Sequence, residues 1–499
     1  MHKYLISSAI ALTLFGCGGG ESGGSSSTPS PTVKYYNVSF FDLDNVAENN
    51  QNSCQIFGYN DDKTRKVIAY RSVPKNGYEV IIHHPDGSVH TKYTHFSKTT
   101  LRLRQNEVPN GGYISFAEFS SDGNSYITTF AKELLPSTVN IYAKSKSTQS
   151  CLTGENPQLI TTTGYIDPID WIESYRGFNF YNQSLDSLTT QYTSAVQSHT
   201  EINFSAPNKP LLAVSYKKDP DTGKILELIG FKFTRFTERG STATPLELTG
   251  EVKNTNAPWN TPNDLTLDSA NIFVDGRQFN APYAYLWQQL TTEQDGQFSY
   301  SNDILDRNYY LNIKGKQLPN GNPIYWGIQH VTQGTENNGA SLTTSNILNN
   351  LPQAEVPTLI DCQADTQQCI SINSSDLSSN TIQRVWLDAK LRSGNDLIQV
   401  LYTPLNDELP IMKFDRDLDE GISSFSNVSI SFMDSDSPLI QETFLYQHQN
   451  LFNRVINNEL RKANVDNIPL LQNITDQQAQ QDLLKRQAYT WVWLEENND

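Results

Sequence analysis

YEVIIHH (residues 78–84), PDG (85–87), SVHTKYTHF (88–96), TTLRLRQ (99–105), GGYISFAEF (111–119) and SYITTFA (125–131) follow one another with little between them. Each run is rich in β-branched and aromatic residues, and most alternate apolar with polar, the period of a strand. The breaks fall at Pro85-Asp86-Gly87, Pro109-Asn110-Gly111 and Asp122-Gly123, where Gly takes the positive φ of a tight turn. Short strands at roughly ten-residue spacing with such turns predict a β-sandwich or barrel. YYNVSFFDL (35–43) before this block and TVNIYAKS (138–145) after it extend the pattern, so a β-sandwich is expected over 35–155.

Beyond it, 156–245 begins irregularly and then turns to strands: EINFSA, PLLAVSYKK and KILELIGFKFTRF, the last two joined across Asp219-Pro220-Asp221-Thr222-Gly223 as a hairpin. A third unit spans 246–360. The fourth, 361–499, holds TIQRVWLDAKL, LIQVLYTPL and NVSISFMDS as strands and then changes period. After Asp436-Ser437-Pro438 the apolar residues recur near every 3.6 positions. Ser437 is placed as an N-cap with Pro438 at the first helical position. Thr475 and Gln478 form a second capping-box pattern, so two terminal helices are expected. TWVWLEE reads either as the end of the second helix or as a last strand. The helices' apolar faces are expected to pack on the last sandwich; the competing reading is a docking face for a partner.

Within the third unit, Thr249-Gly250-Glu251-Val252, Ala270 to Val274, Asp295-Gly296-Gln297-Phe298 and Tyr309 to Ile313 stand in sequence. This series resembles the carboxypeptidase-regulatory-like, transthyretin-like sandwich. The resemblance implies a non-catalytic accessory or binding module. With it, the fold class expected is mostly β: tandem Ig-like or transthyretin-like sandwiches with a small α-helical C-terminal segment.

The chain starts with a weakly basic Met1-His2-Lys3, an apolar run from Tyr4 to Phe15, and Gly16-Cys17. The run is too short to span a bilayer comfortably and has the shape of a secretory signal. Leu14-Phe15-Gly16-Cys17 resembles the lipobox of bacterial lipoproteins. The signal segment with its lipobox spans 1–17, and that resemblance implies cleavage immediately before Cys17, a diacylglyceryl group on its thiol and acylation of its new amine. Gly18 in place of Asp after the cysteine implies the outer membrane. Residues 18–34 are a Gly/Ser/Pro leash that cannot pack a core. One acyl chain holds only marginally, whereas several on one residue hold effectively permanently.

The 499 residues predict about three or four domains. A net charge of −17 argues against nucleic acid and anionic lipid as partners of the body. With Cys17 lipidated, Cys54, Cys151, Cys362 and Cys369 remain, an even number in an oxidising compartment. Cys362 and Cys369 close a short loop and are the natural pair, leaving Cys54 with Cys151; free buried thiols are the alternative.

Chemistry-bearing patterns are sparse. His83, His84, His90 and His95 lie around one hairpin, with His83 and His84 on opposite faces; solvated strand histidines are the default. Asp415, Asp417 and Asp419 have the alternate spacing calcium uses, but Glu420 replaces the loop glycine and Ser426 the final glutamate of an EF-hand. A solvated acidic turn competes with a calcium site there. Ser72-Val73-Pro74-Lys75 and Ser215-Tyr216-Lys217-Lys218 match Ser-x-x-Lys but stand in strand or turn context. Trp171, Trp259, Trp287 and Trp326 are placed in or near loops, where they suit a flat sugar or protein surface; packing is the competing fate. The expectation is a lipid-anchored, non-enzymatic envelope protein with a protein partner, a glycan-binding lipoprotein as the alternative, and an envelope hydrolase behind both.

Overall fold

The computed structural model describes residues 33–495 outside 157–161, 167–177, 184–189, 193–199, 205–209, 236–245, 255–265, 291–298, 318–323, 341–352, 363–367, 446–469, 480–485 and several shorter breaks. The first part of the body holds β1 (Tyr35–Ala47), β2 (Ile56–Tyr59), β3 (Arg65–Arg71), β4 (Tyr78–His83), β5 (Val89–Tyr93), β6 (Thr100–Arg104), β7 (Tyr113–Phe119), β8 (Ser125–Ala131) and β9 (Thr138–Tyr142). Further along come β10 (Leu211–Lys218), β11 (Ile225–Thr234), β12 (Thr266–Asp275), β13 (Ala284–Gln289), β14 (Tyr309–Gln317) and β15 (Ile324–Thr332). The last part holds β16 (Ile382–Leu391), β17 (Asp396–Pro404), β18 (Ile422–Asp434), helix α1 (Pro438–Leu445) and β19 (Tyr489–Glu495). The protein is mostly β with a small helical part near its C-terminus.

Twelve strands form one sheet in the order β13-β12-β14-β15-β19-β18-β16-β17-β8-β7-β4-β5. Strands of 35–155, 246–360 and 361–499 therefore pair across the boundaries that composition suggests. Neighbours are antiparallel except at β17 and β8, where Leu397–Tyr402 runs parallel to Ser125–Phe130. Parallel neighbours cannot be joined by a tight turn; these two are brought together from sequence positions about 270 apart. The join is closed by Asn124, whose side-chain oxygen accepts the Asp396 N–H at 3.0 Å. At Gly123, φ is +92° and a Cβ would strike the Asn395 side chain, so the turn there needs glycine.

At β4 both faces of this sheet are covered, which is why Val80, Ile81 and Ile82 are apolar in succession. One face carries Ile81, Ile127, Leu387, Leu401, Ile430, Val492 and Leu311 in a core that runs along its length. The other packs Val80, Ile82, Phe116, Phe130, Trp386 and Tyr402 against Tyr36, Val38 and Phe40 of β1. β1 belongs to a second sheet, ordered β2-β3-β1-β6 with β9 parallel to β1. Phe130 and Tyr402 stack at 4.9 Å directly across the parallel join. α1 closes this side with Ile440, Phe444 and Leu445 buried. Its first turn uses the Ser437 carbonyl to accept the Ile440 and Gln441 N–H groups. So α1 buries the apolar face of Pro438–Leu445 in the molecule; the later apolar positions of the expected helix, Leu451 to Leu460, lie outside the described residues.

Four strands of 156–245, β10 and β11 among them, and the short strand Gly250–Glu251 build a separate five-stranded sheet that packs on the common core. β10 and β11 pair antiparallel; of the expected turn Asp219 to Gly223, all but Asp221 lie outside the described residues. The Phe231 ring lies where a Cβ on Gly250 would sit, which accounts for glycine in the Thr-Gly-Glu-Val stretch. Within β14, Ile313 faces the common core and Tyr310 the opposite face, with Phe273 and Leu286. Asp295 to Phe298 lies outside the described residues.

Cys54 is bonded to Cys151, and Cys362 to Cys369. The first bond joins positions 97 apart and ties Leu152 to β3, where the Leu152 N–H donates to the Ala69 carbonyl at 2.8 Å. The second helix begins at residue 474, two residues after Gln472. Its cap is Asn473, whose side-chain oxygen accepts the Asp476 N–H at 3.0 Å while its amide donates back to the Asp476 carboxylate at 2.9 Å. This corrects the expected Thr475 cap: Thr475 already lies inside the helix. TWVWLEE is a strand, β19, between β15 and β18.

Candidate functional site

The β4–β5 hairpin and the 411–421 loop folded against it gather most of the polar chemistry the sequence points to. β4 enters with Tyr78-Glu79-Val80-Ile81-Ile82-His83 all buried. The turn follows at Pro85-Asp86-Gly87, with Gly87 at φ +80° packed on Pro410 and Ile411. The Asp86 carboxylate accepts the Ser88 N–H at 2.9 Å and the Ser88 hydroxyl at 2.6 Å, and these bonds hold its carboxyl below the ordinary value. The Lys413 N–H donates to the Gly87 carbonyl at 2.9 Å, pinning the turn to the loop.

Inside the hairpin a polar chain crosses four strands. His83 Nδ1 lies 3.2 Å from the Gly87 carbonyl, and Nε2 lies 2.7 Å from Ser115 Oγ. Ser115 Oγ is 2.8 Å from Thr129 Oγ1, which accepts from Gln399 Nε2 at 3.2 Å. A carbonyl only accepts, so Nδ1 carries the proton. The chain then runs one way, from the Gln399 amide through the Thr129 and Ser115 hydroxyls to Nε2. Burial pushes the His83 pKa down to about 4, helped by the Lys92 charge and opposed by the Gly87 carbonyl and Asp415. Phe414 packs edge-on to the imidazole at 5.5 Å.

A serine hydroxyl this close to an imidazole is the pairing an acyl-transfer enzyme uses. Here His83, Ser115 and Thr129 are all 0% exposed, and the second ring nitrogen meets a carbonyl instead of a carboxylate. The geometry supports packing: a satisfied polar seam that ties β4, β7, β8 and β17 together.

Outside the seam, the loop is held by charge. Arg416 pairs with Glu79, whose side chain is 7% exposed, and lies 4.0 Å over the Phe119 ring. Lys92 pairs with Asp415 at 3.3 Å and donates to the Phe414 carbonyl. Asp415 takes φ +50°. The Asp419 carboxylate accepts the Phe414 and Asp415 N–H groups, each at 2.6 Å. Of the alternate acids considered for calcium, Asp415 thus faces an ammonium and Asp419 closes the turn with both its oxygens; Asp417 lies outside the described residues.

The four histidines separate. His84 and His90 meet on the outer side of the hairpin, with His84 Nε2 3.2 Å from His90 Nδ1 and the rings 80° apart. His95 lies elsewhere, its Nδ1 2.8 Å from Thr94 Oγ1. His90 reaches His84 through a bulge. Ile82 pairs with Thr91 but His83 pairs with Val89, so His90 is the extra residue. Without the bulge, His90 would oppose His83 and face inward with it. The sequence carries all four histidines but gives no sign of the bulge.

The tryptophans require a correction. Trp287 is fully buried in β13 and not in a loop; its Nε1 donates to the Ser299 carbonyl at 2.7 Å and its ring meets Phe231 at 4.9 Å. The alternating run Ala284-Tyr285-Leu286-Trp287 brings it there, as one of the core positions of an edge strand. Trp326 is also in a strand, β15, opposite Gly315 and Val492. Trp171 and Trp259 lie outside the described residues, as does Cys17. Ser72 donates to the Ala143 carbonyl from a buried position, and Ser215 lies within β10, so neither Ser-x-x-Lys string has the helical turn its chemistry needs. Among the described residues, Cys362, Cys369 and Glu408 alone bring three potential metal-ligand atoms within 4.8 Å, and the two sulfurs there are joined in the disulfide.

Comparison of the chain with protein-family models and with curated proteins returns no match. Among the described residues, no helix is long and apolar enough to cross a membrane.

Proposed function

We propose that this chain is a lipid-anchored protein of the bacterial outer membrane whose folded body has a non-enzymatic binding or assembly role. The observation that carries the reading is the run Leu14-Phe15-Gly16-Cys17 at the end of a secretory signal, followed at once by the leash of 18–34. A leash of this composition has a root-mean-square reach of roughly 20–25 Å. It delivers its pull to β1, which is hydrogen-bonded to β3, β6 and β9 and carries Tyr36, Val38 and Phe40 into the core. A tether attached to a central strand loads the whole body rather than a frayed end. The burial of the Ser115–His83 pair and of Trp287 weighs against the hydrolase reading and against one of the four residues behind the glycan reading.

The test is crosslinking in intact cells of the tagged, lipidated protein, followed by capture and mass spectrometry. The Cys17→Ser form serves as the comparison. Enrichment of one envelope protein with the anchored form is expected. Recovery of the same background from both forms contradicts the assembly role.

A further inference from the structure

The outer side of the β4–β5 hairpin holds two imidazole nitrogens 3.2 Å apart, His84 Nε2 and His90 Nδ1. We infer that this pair is a bidentate site for a late first-row divalent metal ion, bound best as Cu²⁺. Metal–imidazole bonds of about 2.0–2.1 Å put two nitrogens about 2.9–3.3 Å apart when the angle between them lies between a right angle and the tetrahedral value. The observed separation falls in that interval, so the pair needs little rearrangement to close on an ion. Neutral imidazole suits Cu²⁺, Ni²⁺ and Zn²⁺, and affinity rises to copper along the series.

Three features make the pair a built site rather than a chance approach. The bulge at His90 is what turns its ring to the side of His84, and bulges recur where a strand must re-aim a side chain. The turn between the two residues is fixed from several directions: Gly87 N–H to the His84 carbonyl at 3.0 Å, His84 N–H to the Ser88 carbonyl at 2.9 Å, and Lys413 N–H to Gly87. The inner seam then anchors the neighbouring residue, His83, to Ser115. A preorganised backbone of this kind holds two ligands in place without the entropy loss of ordering them. Asp86, in the turn between the two residues, adds a carboxylate beside the pair.

The chemistry balances simply. When both rings carry a single proton, one N–H lies between His90 Nδ1 and His84 Nε2. On binding, that proton moves to the other nitrogen of the same ring, both lone pairs go to the metal, and the aqua ion gives up two waters. The remaining positions stay with solvent.

The experiment uses the mature lipidated chain, beginning at Cys17, in detergent, stripped with chelator and titrated with CuSO₄ in competition with a chromophoric chelator. Electron paramagnetic resonance of the same samples counts bound nitrogens. Tight one-to-one binding with two imidazole nitrogens is expected. His84→Ala and His90→Ala are each expected to weaken it at least tenfold, and His95→Ala to leave it unchanged, with thermal melts of all three matching wild type. Equal affinity in wild type and in the His84→Ala/His90→Ala double variant overturns the site. So does a spectrum with one protein nitrogen, the result expected if the two rings merely share a hydrogen bond.

Discussion

On the inner side of the β4–β5 hairpin, His83 is fully buried, neutral and bonded at both nitrogens. On the outer side, one residue along the chain, His84 meets the exposed His90. The strand period sends neighbours to opposite faces, and the interior and exterior then make different demands. Inside, a polar group persists only if every donor and acceptor is satisfied, so His83 is locked into a directional chain. Outside, water satisfies the groups, and two rings stay close only because the bulge and the turn place them there. The same residue type is thus a structural rivet on one face and an available ligand on the other.

The largest expected effect lies inside. The folded-state pKa of His83, about 4, is below the unfolded value of about 6.5, so protons favour the unfolded chain. The stability this group contributes is complete above about pH 6.5 and is lost as pH falls toward 4. Denaturant titrations with EDTA present are expected to show a loss of about 3 kcal/mol across that interval. His83→Gln is expected to flatten it, and His84→Ala to leave it in place; an unchanged slope in His83→Gln would break the contrast between the two faces.

Next come the groups that clamp the loop over the inner face. Arg416→Ala leaves Glu79 with its charge inside and its partner gone, for an expected cost of about 2 kcal/mol, moderated because the arginine is half-exposed. Asp419→Ala removes the acceptor of two backbone N–H groups and is expected to cost about 1–2 kcal/mol, measured by thermal melting. Smallest of all, His90→Ala in metal-free buffer is expected to change stability by less than about 0.5 kcal/mol. A larger loss would mean that the outer pair is structural as well, and would erase the comparison.

Much of the fold was legible from local pattern. β4 to β8 are the runs of β-branched and aromatic residues, and Gly87, Gly111 and Gly123 do take the positive φ their turns need. The Cys362–Cys369 bond followed from spacing, and α1 from Ser437-Pro438. What was hidden depends on distant residues. Nothing in SYITTFA indicates that β8 will lie parallel to β17, because pairing of segments so far apart is fixed by packing and not by local propensity. Trp287 reads as a loop aromatic until β10 and β11 cover it. The cap at Asn473 shows how an Asn two residues upstream outcompetes a Thr whose spacing to Gln478 looked right. At the hairpin, the opposite faces of His83 and His84 were legible; the single inserted residue that brings His90 to His84 was not.

Cys17 is the residue proposed to hold this body to the membrane. The direct measurement is fractionation of cells expressing wild type and Cys17→Ser, with immunoblotting of soluble and outer-membrane fractions. Wild type in the outer membrane and Cys17→Ser in the soluble fraction is the result predicted. Cys17→Ser that remains with the membrane as wild type does would contradict the claim.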